Sequence, residues 1–297
     1  MADYPLISIG MSVRDGANTL RLSLQSIVNQ SYENWELILI DDGSKDATSS
    51  VAAGFGDRRI RYFSDGQSLG LPVRLNQAID AARGDYFARM DADDISYASR
   101  LERQCEFLRA NPEIDLVGSW VLVFNNAGDV LGRRTGPSDH FSLCARPLGG
   151  FKMAHPTYMG RTEWFRKYRY DVGRLRCEDQ DLLLRSYRAS RFANIPLILL
   201  GYRESLTLKK SIASRRMMAR ALAREFWRQW RPDMALAAIL GQISKSVFDY
   251  VAFTTGLEYR MLHHRYEPSS KEDCQEWARV WNSLHDSGNV DSRIGRL

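Results

Sequence analysis

The sequence predicts an α/β fold, with a Rossmann-like, mostly parallel central sheet flanked by helices and a helical C-terminal extension. Over the first 115 residues, apolar runs of strand length alternate with segments of helical period, which is typical of a parallel, doubly wound sheet. Two of these apolar runs are followed directly by short acidic clusters. From about Ser205 onward only the helical period continues, so we predict a main domain over residues 1–204 and a helical region over residues 205–297.

Four strands are predicted in the first half, at residues 6–13, 35–40, 60–63 and 86–90. Asn18 or Thr19 is placed to cap the helix after the first strand, and Ser44 to cap the helix after the second. The next helix ends at Gly84, and the one after it stops before Pro112, which cannot continue a helix.

The alternation is lost after residue 115. A hairpin is predicted from residues 116–124 and 130–131, with Gly128 in its turn. Residues 137–176 are expected to be irregular, and a helix over residues 179–187 and a strand over residues 195–202 follow them.

The composition is that of a folded protein, with 44% hydrophobic and 26% charged residues among 297. The four cysteines are scattered without a CxxC pair, which argues against a zinc site and fits a reducing compartment. The start of the chain does not resemble a signal peptide, and no stretch reaches the roughly 18 apolar residues that a membrane span needs. We therefore expect a soluble or peripheral cytoplasmic protein.

Positive charge is concentrated in one segment. Nine Lys or Arg residues stand against two Glu between Arg203 and Arg231, in a chain whose net charge is +5. Residues 209–230 have a helical period, with aromatic and apolar side chains among the basic ones. This helix either packs on the main domain with a solvated basic face, or lies on an anionic membrane surface. Because the chain has no nucleic-acid recognition motif, we expect no nucleic-acid partner.

Two acidic clusters occupy matched strand ends. Asp41-Asp42 follows the second predicted strand, and Asp91-Ala92-Asp93 follows the fourth. Ligands of α/β proteins bind at the carboxyl ends of parallel strands, so both clusters are expected to face one crevice. Asp41-Asp42 alone is more typical of a solvated turn. Together, the two clusters predict a pocket for a nucleotide and a divalent metal ion.

A series of motifs resembles the family 2 glycosyltransferases of the GT-A fold, most of which invert the configuration of the sugar. The matching motifs are Gln30-Ser31-Tyr32-Glu33-Asn34-Trp35-Glu36, Asp41-Asp42-Gly43-Ser44, Gly70-Leu71, Leu75-Asn76, Ala88-Arg89-Met90-Asp91-Ala92-Asp93-Asp94-Ile95-Ser96, His155-Pro156-Thr157 and Glu178-Asp179-Gln180-Asp181-Leu182. The stretch over residues 88–96 looks like the branch that builds bacterial capsules, O-antigens and exopolysaccharides. The resemblance implies a nucleotide-sugar half over residues 1–115 and an acceptor half over residues 116–204.

The implied reaction releases a nucleoside diphosphate. A divalent cation between the two phosphates stabilises that leaving group as it departs. Mg²⁺ or Mn²⁺ binds hard oxygen ligands, few of them from protein. Asp93 is the predicted metal ligand. Asp91, on the other side of Ala92, reaches the metal or the ribose.

The resemblance also implies a pocket for the base and ribose. Asp42 accepts a hydrogen bond from uracil N3–H in it, and Asn76 and the backbone around Val13 line it. Many relatives carry Pro-x-Tyr-Asn after the first strand, where this chain continues from Val13 with Arg14 and Asp15. The guanidinium plane of Arg14 can stack on a base as an aromatic ring does. Val13, Arg14 and Asp15 therefore belong to the predicted nucleotide site.

A carboxylate near the acceptor hydroxyl is needed as the general base of an inverting transfer. The base of the family maps onto Asp179, and Glu178 beside it is a candidate acceptor or phosphate contact. Acidic residues also stabilise a helix N-terminus, so a capped helix is the alternative interpretation of this cluster.

His155 and Arg203 are weaker candidates for acceptor or phosphate contacts. A loop histidine is more often a structural hydrogen-bonding group, and a salt bridge explains Arg203 equally well. Relatives often have a His after the Tyr-Arg pair, where this chain has Glu204, so the role of that histidine is missing or reassigned.

The sequence thus predicts a metal-dependent inverting glycosyltransferase in cell-surface polysaccharide synthesis. It is expected to move a hexose or N-acetylhexosamine from a UDP-sugar to a glycan or polyprenyl-linked acceptor, at the inner face of the plasma membrane if the basic helix binds lipid. A sugar nucleotidyltransferase would need a Gly-rich phosphate loop after the first strand, where only Gly16 occurs. A non-catalytic nucleotide- or glycan-binding module is the third alternative.

Overall fold

A computed structural model describes residues 4–204, 208–256 and 266–294, without the side chains of residues 210 and 287–294. The strands are β1 (Ile7–Val13), β2 (Trp35–Asp41), β3 (Ile60–Ser64), β4 (Tyr86–Asp91), β5 (Ile95–Ser96), β6 (Leu116–Phe124), β7 (Val130–Arg134), β8 (Met159–Arg161) and β9 (Phe192–Arg203). The helices are α1 (Leu20–Val28), α2 (Thr48–Ala53), α3 (Leu71–Ala81), α4 (Arg100–Ala110), α5 (His140–Cys144), α6 (Thr162–Tyr168), α7 (Glu178–Ser186), α8 (Leu208–Arg228), α9 (Pro232–Thr254) and α10 (Lys271–Ile294).

All these strands belong to one sheet, in the order β3-β2-β1-β4-β8-β6-β9-β5, with β7 paired to β6. The first four strands are parallel, as predicted, and β6 and β9 are parallel as well. Along β2, Leu37 and Leu39 enter one apolar core, whereas Ile38 and Ile40 enter another. Because successive side chains of a strand point to opposite faces, both faces of the sheet are covered. The predicted α/β fold is confirmed.

The short strand β8 joins the two halves of the sheet. It pairs antiparallel with β4 on one side and with β6 on the other. The prediction that residues 137–176 are irregular is therefore wrong for β8, and also for α5 and α6. Three residues are too few for a period-two pattern, so only pairing with both neighbours defines this strand.

Two predicted helix ends differ from the structure. Ser44 does not cap α2, which begins after Ala47; its N–H and hydroxyl both donate to Asp41 Oδ1, at 2.8 and 2.6 Å. The helix α3 ends at Ala81, three residues before Gly84. A Cβ atom at Gly84 would lie 2.4 Å from the Leu6 carbonyl oxygen, so this glycine permits close contact with the chain that enters β1.

The region beyond residue 204 packs in two different ways. Ser205, where the helical pattern was predicted to begin, lies outside the described residues. The helices α8 and α9 form a hairpin beside α7, whereas α10 packs on the β6–β7 hairpin. Trp277 of α10 is buried against Phe124, and its indole N–H donates to the Gly128 carbonyl oxygen at 2.8 Å. The last helix is thus integral to the core beside β6.

By length and composition, α9 is able to cross a membrane. It has 23 residues, and only 22% of its apolar 18-residue stretch is buried inside the protein. Gln242, Ser244 and Lys245 were expected to break this segment, but the helix continues through all three. It carries charges at Asp233, Lys245 and Asp249, so it contains no run of 18 uncharged apolar residues.

We predict that Trp277→Ala lowers the free energy of unfolding by about 3–5 kcal/mol, since it removes a buried aromatic ring. Chemical denaturation followed by circular dichroism measures this change. Trp230→Ala is the matched control, because that ring is 91% exposed and its loss is expected to cost about 0.5 kcal/mol or less. Equal stability of the two variants would mean that α10 does not contribute to the core.

Candidate active site

The two acidic clusters meet at one edge of the sheet. Asp91 of β4 lies beside Ser12 of β1, and Asp41 of β2 lies beside Val13 of β1. Both clusters therefore flank the carboxyl end of β1, as the sequence analysis predicted. The parallel register of three neighbouring strands is what brings them together.

Asp91, Asp93 and Asp94 form a cluster in which one carboxylate oxygen from each lies within 4.8 Å of the others. Burial and the charge of Asp91 raise the pKa of Asp93 to about 6. Burial, and then the charge of Asp93, raises the pKa of Asp94 well above its ordinary value. Asp94 Oδ2 is buried without a hydrogen-bond partner. Crowded hard oxygen donors with an unpartnered oxygen among them fit a divalent cation. Asp94 belongs to the motif over residues 88–96, but the sequence did not predict it as a metal ligand.

Two arginines hold this acidic loop. Arg89, 2% exposed, makes a bidentate ion pair with Asp91, with one contact at 2.7 Å. Arg203 donates from its backbone N–H to Asp94 Oδ1 and from Nε to the Asp93 carbonyl oxygen, both at 2.8 Å. Its guanidinium lies 4.6 Å from the centre of the Phe124 ring. Arg203 therefore positions the loop, and its contact with phosphate stays a prediction. The role of Arg89 was missed, although an arginine inside a buried strand is a signal of a buried ion pair.

A second pair of carboxylates stands at the N-terminus of α7. Gln180 donates from Nε2 to Asp179 Oδ2 at 3.1 Å, and its Oε1 accepts from the Phe151 N–H at 2.8 Å, which ties Asp179 to the loop before it. Burial raises the pKa of Asp179. Burial, and then the charge of Asp179, raises the pKa of Glu178 to about 7. Carboxyls with raised pKa are the better proton acceptors at neutral pH.

One cavity of about 650 Å³ receives side chains from both halves of the sheet. The predicted site residues that line it are Asp91, His155, Glu178 and Asp179. Its further charged and aromatic lining consists of Arg89, Arg133, Arg134, Phe151, Lys152, Tyr202, Tyr266 and Glu267. The structure therefore brings Asp91 of the metal-type cluster and the base-type pair to one space, whereas Asp93 and Asp94 lie behind Asp91 and do not line the cavity.

Glu204, which stands where relatives often have a histidine, organises one wall of this cavity. It accepts a hydrogen bond from Arg134 Nη2 at 2.7 Å and another from the Tyr266 hydroxyl. The Arg134 guanidinium lies 4.6 Å from the ring centre of Tyr202 and 5.1 Å from that of Tyr266. Sequence reasoning missed Tyr266, because no local pattern connects it with a strand more than 130 residues earlier.

His155 takes part in a chain of hydrogen bonds with Tyr170 and Asn76. Its Nε2 lies 2.9 Å from the Tyr170 hydroxyl. The Asn76 side chain donates to the carbonyl oxygen of Tyr170 and accepts from its N–H, at 2.8 and 2.9 Å. Burial, and then Arg89, lowers the pKa of His155, so its ring is neutral at pH 7. Asn76 thus positions Tyr170, and its contact with ribose stays a prediction.

Asp42 is buried and surrounded by donors. It accepts from the N–H groups of Leu69 and Gly70, at 2.7 and 3.0 Å, and from Arg74 Nε at 2.9 Å. Burial alone would raise its pKa, but these hydrogen bonds outweigh burial and hold the pKa of the Asp42 carboxyl below its ordinary value. In this structure Asp42 fixes the loop before α3, and its bond to a base stays a prediction.

The remaining predicted residues lie around the end of β1. Val13 is buried, and its carbonyl oxygen accepts from the Asp42 N–H at 2.8 Å. Arg14 is exposed and donates to Ser68 Oγ at 2.6 Å. Asp15 has a φ of 49°, and its side chain accepts from the Lys45 N–H at 2.7 Å. Ala92 is buried between its acidic neighbours. Arg14 and Asp15 thus both face solvent, and Arg14 contacts the loop that Asp42 holds.

Comparison with known proteins decides the family. Residues 8–172 match the family described as Glycosyl transferase family 2. The chain belongs to this family. It is 38% identical over 195 residues to the putative glycosyltransferase EpsE of Bacillus subtilis, covering 63% of this chain and 68% of EpsE. Over 137 residues it is 33% identical to Escherichia coli WfgD, named a UDP-Glc:alpha-D-GlcNAc-diphosphoundecaprenol beta-1,3-glucosyltransferase, covering 46% of this chain and 53% of WfgD.

Solved structures show the same fold for this glycosyltransferase. Staphylococcus aureus TarS, residues 1–349 in complex with UDP-GlcNAc, superposes with a TM-score of 0.59 at 16% identity, covering 94% of this chain and 80% of TarS. The mannosyltransferase PcManGT of Pyrobaculum calidifontis, in complex with GDP-Man and Mn²⁺, gives a TM-score of 0.56 at 16% identity, covering 89% of this chain and 84% of PcManGT. The predicted family and fold are therefore confirmed.

We predict that Asp42→Asn lowers the free energy of unfolding by about 3 kcal/mol, because it leaves a buried Arg74 with one fewer carboxylate partner. Denaturant titration measures this loss. Asp80→Asn is the matched control: its ion pair with Arg169 is exposed on both sides, and the expected change is about 1 kcal/mol or less. Unchanged stability of Asp42→Asn would remove the structural role given to Asp42.

Proposed function

We propose that this glycosyltransferase moves a hexose or N-acetylhexosamine from a UDP-sugar, with a divalent cation, to an acceptor hydroxyl with inversion. The observation that carries the proposal is that Asp91 and Asp179 line the same cavity, although Asp91 ends strand β4 and Asp179 lies in the first turn of helix α7. A leaving group held at one cluster and a base at the other match the two ends of an in-line displacement.

The cluster of Asp91, Asp93 and Asp94 is the proposed metal site, with Mg²⁺ or Mn²⁺ as the ion. The bound cation supplies charge neutralisation to the departing diphosphate. The protein contributes the fixed loop: Arg203 holds Asp94 and the Asp93 carbonyl group, and Arg89 orients Asp91. PcManGT, which shares the fold, is solved with Mn²⁺.

Asp179 is the proposed general base. It takes the proton of the acceptor hydroxyl while the acceptor oxygen bonds to the anomeric carbon and the bond to the diphosphate breaks, with its electron pair leaving on the diphosphate. The hydrogen bond from Gln180 fixes the orientation of the Asp179 carboxylate, and the raised pKa of Asp179 makes this carboxylate a stronger base. Burial and the charge of Asp179 raise the pKa of Glu178 to about 7, so Glu178 is partly protonated at neutral pH and adds less negative charge beside Asp179.

We propose a glycan linked to polyprenyl diphosphate as the acceptor. Aromatic rings bind sugar faces and cationic groups bind phosphate, and both line the cavity, as Tyr202, Tyr266, Arg133 and Lys152. The name of the relative WfgD specifies an acceptor of this chemical type and a UDP-sugar donor. We propose that the enzyme meets this acceptor at the inner face of the plasma membrane, in polysaccharide synthesis.

We predict that wild-type protein binds UDP in the presence of Mn²⁺ and that Asp93→Asn weakens this binding at least tenfold, because one hard oxygen ligand is lost. Isothermal titration calorimetry with UDP, GDP and dTDP, each with and without Mn²⁺, measures it. Asp80→Asn, an exposed carboxylate on α3, should bind as wild type does. Binding of GDP or dTDP in place of UDP would show that the donor carries a different nucleotide. If no nucleotide binds, the assignment of this cavity as the transferase site is wrong.

We predict that Asp179→Asn binds the donor normally but loses about 10²–10⁴-fold in kcat, because an amide cannot take the acceptor proton. Transfer is followed by release of UDP, and donor affinity by calorimetry. Glu178→Gln is the matched control and should lose less, since Glu178 is not assigned the proton transfer. For wild type, the rate should fall as pH drops through the raised pKa of Asp179, where the base becomes protonated. Undiminished turnover of Asp179→Asn contradicts its assignment.

A further inference from the structure

The helix α9 carries an apolar face that the rest of the described protein leaves uncovered. The helix has eight exposed large apolar side chains, of which Phe248 lies about 60° to one side of the others. With successive residues about 100° apart, the other seven fall in one sector about 120° wide. They are Leu236, Ile239, Leu240, Ile243, Val247, Tyr250 and Val251. Leu240 is 57% exposed and Ile243 is 53% exposed. A contiguous apolar face of this length is unusual on a surface that contacts only water.

Basic and aromatic side chains of α8 border this face. A groove between the two helices is lined by Arg216 and Arg220 from α8 and by Ile239, Ile243 and Val247 from α9. In the part of the chain that the structure describes, neither arginine has a carboxylate at salt-bridge distance. At the end of α8, Trp227 is 71% exposed and lies in a second groove with Leu236 and Ile239. Free positive charge, an indole ring and aliphatic side chains thus form one surface.

The opposite sides of the two helices are anchored in the protein. Leu222 and Phe226 of α8, with Ala235 and Ala238 of α9, are buried in the core that also contains α7. Asp249 of α9, 1% exposed, forms an ion pair with Arg215 of α8 at 2.6 Å. The hairpin therefore presents its exposed surface in a fixed orientation relative to the helix that carries Asp179.

We propose that the α8–α9 hairpin docks this enzyme on an anionic lipid surface, with the apolar face of α9 in the acyl region and Arg216 and Arg220 on lipid phosphates. The charge pattern favours lipid over a second copy of the chain, because a copy would bring the same arginines and no added negative charge. Apolar side chains beside free cations match the headgroup boundary of a bilayer.

The hairpin lies on the membrane and does not cross it. Although α9 alone is long enough for a span, α8 packs along it and carries Arg215, Arg216, Arg220, Arg224 and Arg228. Spanning would carry these charges into hydrocarbon together with the ion pair of Asp249, which is costly.

Sedimentation of the full-length protein with phospholipid vesicles tests the proposal. Vesicles of phosphatidylglycerol and phosphatidylcholine should bind wild type, and pure phosphatidylcholine should bind it much more weakly. Arg216→Glu/Arg220→Glu should weaken anionic binding roughly 30-fold or more, since each arginine near such a surface contributes about fivefold. Ile243→Glu should weaken binding to both vesicle types at least tenfold, because it places a charge in the acyl region.

Matched variants control for charge and for folding. Arg58→Glu/Arg109→Glu makes the same charge change at exposed positions elsewhere, and Phe141→Glu replaces another exposed apolar ring; both should sediment as wild type does. Circular dichroism and UDP binding verify that each variant is folded. High salt should release the bound enzyme.

Several results would overturn the proposal. One is that wild type binds neither vesicle; another is that the control pair loses as much binding as the α8 pair. Retention in the pellet after an alkaline wash would show that α9 spans the bilayer. Light scattering that finds a dimer, converted to monomer by Ile243→Glu, would show that a second copy covers the face.

Discussion

The buried Arg89 lies among the carboxylates of the candidate active site and offsets part of their negative charge. It is 2% exposed in the middle of the sheet, forms an ion pair with Asp91, and acts electrostatically on Asp94 and Glu178. The same guanidinium lowers the pKa of Asp93 and Asp179 against the effect of burial. One arginine cannot neutralise five carboxylates, so the pKa values of most of them remain raised. The site is therefore built with an excess of negative charge that a cation or a proton must compensate.

The backbone around Arg89 explains why this residue can hold that position. Its N–H donates to the Tyr158 carbonyl oxygen at 2.8 Å, and its own carbonyl oxygen accepts from Arg100 at 2.7 Å. The strand β8 begins at the next residue after Tyr158, so the contact that fixes Arg89 also joins the two halves of the sheet. The pairing of one three-residue strand thus fixes the position of Arg89 between the carboxylates that end β4 and those that begin α7.

The C-terminal region has two structural roles. Residues 266–294 complete one wall of the cavity, and the α8–α9 hairpin supplies a separate surface. Tyr266 reaches back to Glu204, and a bridge pairs Arg133 with Glu267, which closes one wall of the cavity. Trp277 then covers the outer strands. The hairpin of α8 and α9 instead buries only one side. The sequence of this region predicts helix throughout, but its two parts differ in packing. Residues 266–294 complete the cavity wall, whereas the α8–α9 hairpin leaves an apolar face exposed.

The sequence by itself determined the parallel half of the sheet, its strand ends and the acidic clusters that follow them, because these depend on local periodicity and on motifs of a few residues. It also determined the family, through the order of motifs such as Asp91-Ala92-Asp93 and Glu178-Asp179. Only the tertiary structure decided that Arg89 lies near both Asp91 and Glu178, and that Asp94 belongs to the metal-type group. It also decided that Asn76 is hydrogen-bonded to Tyr170 and that Asp42 forms an ion pair with Arg74. Short elements such as β8, and contacts such as that of Glu204 with Tyr266, join residues far apart in the chain. They form only when global packing brings their partners together, so no local pattern encodes them.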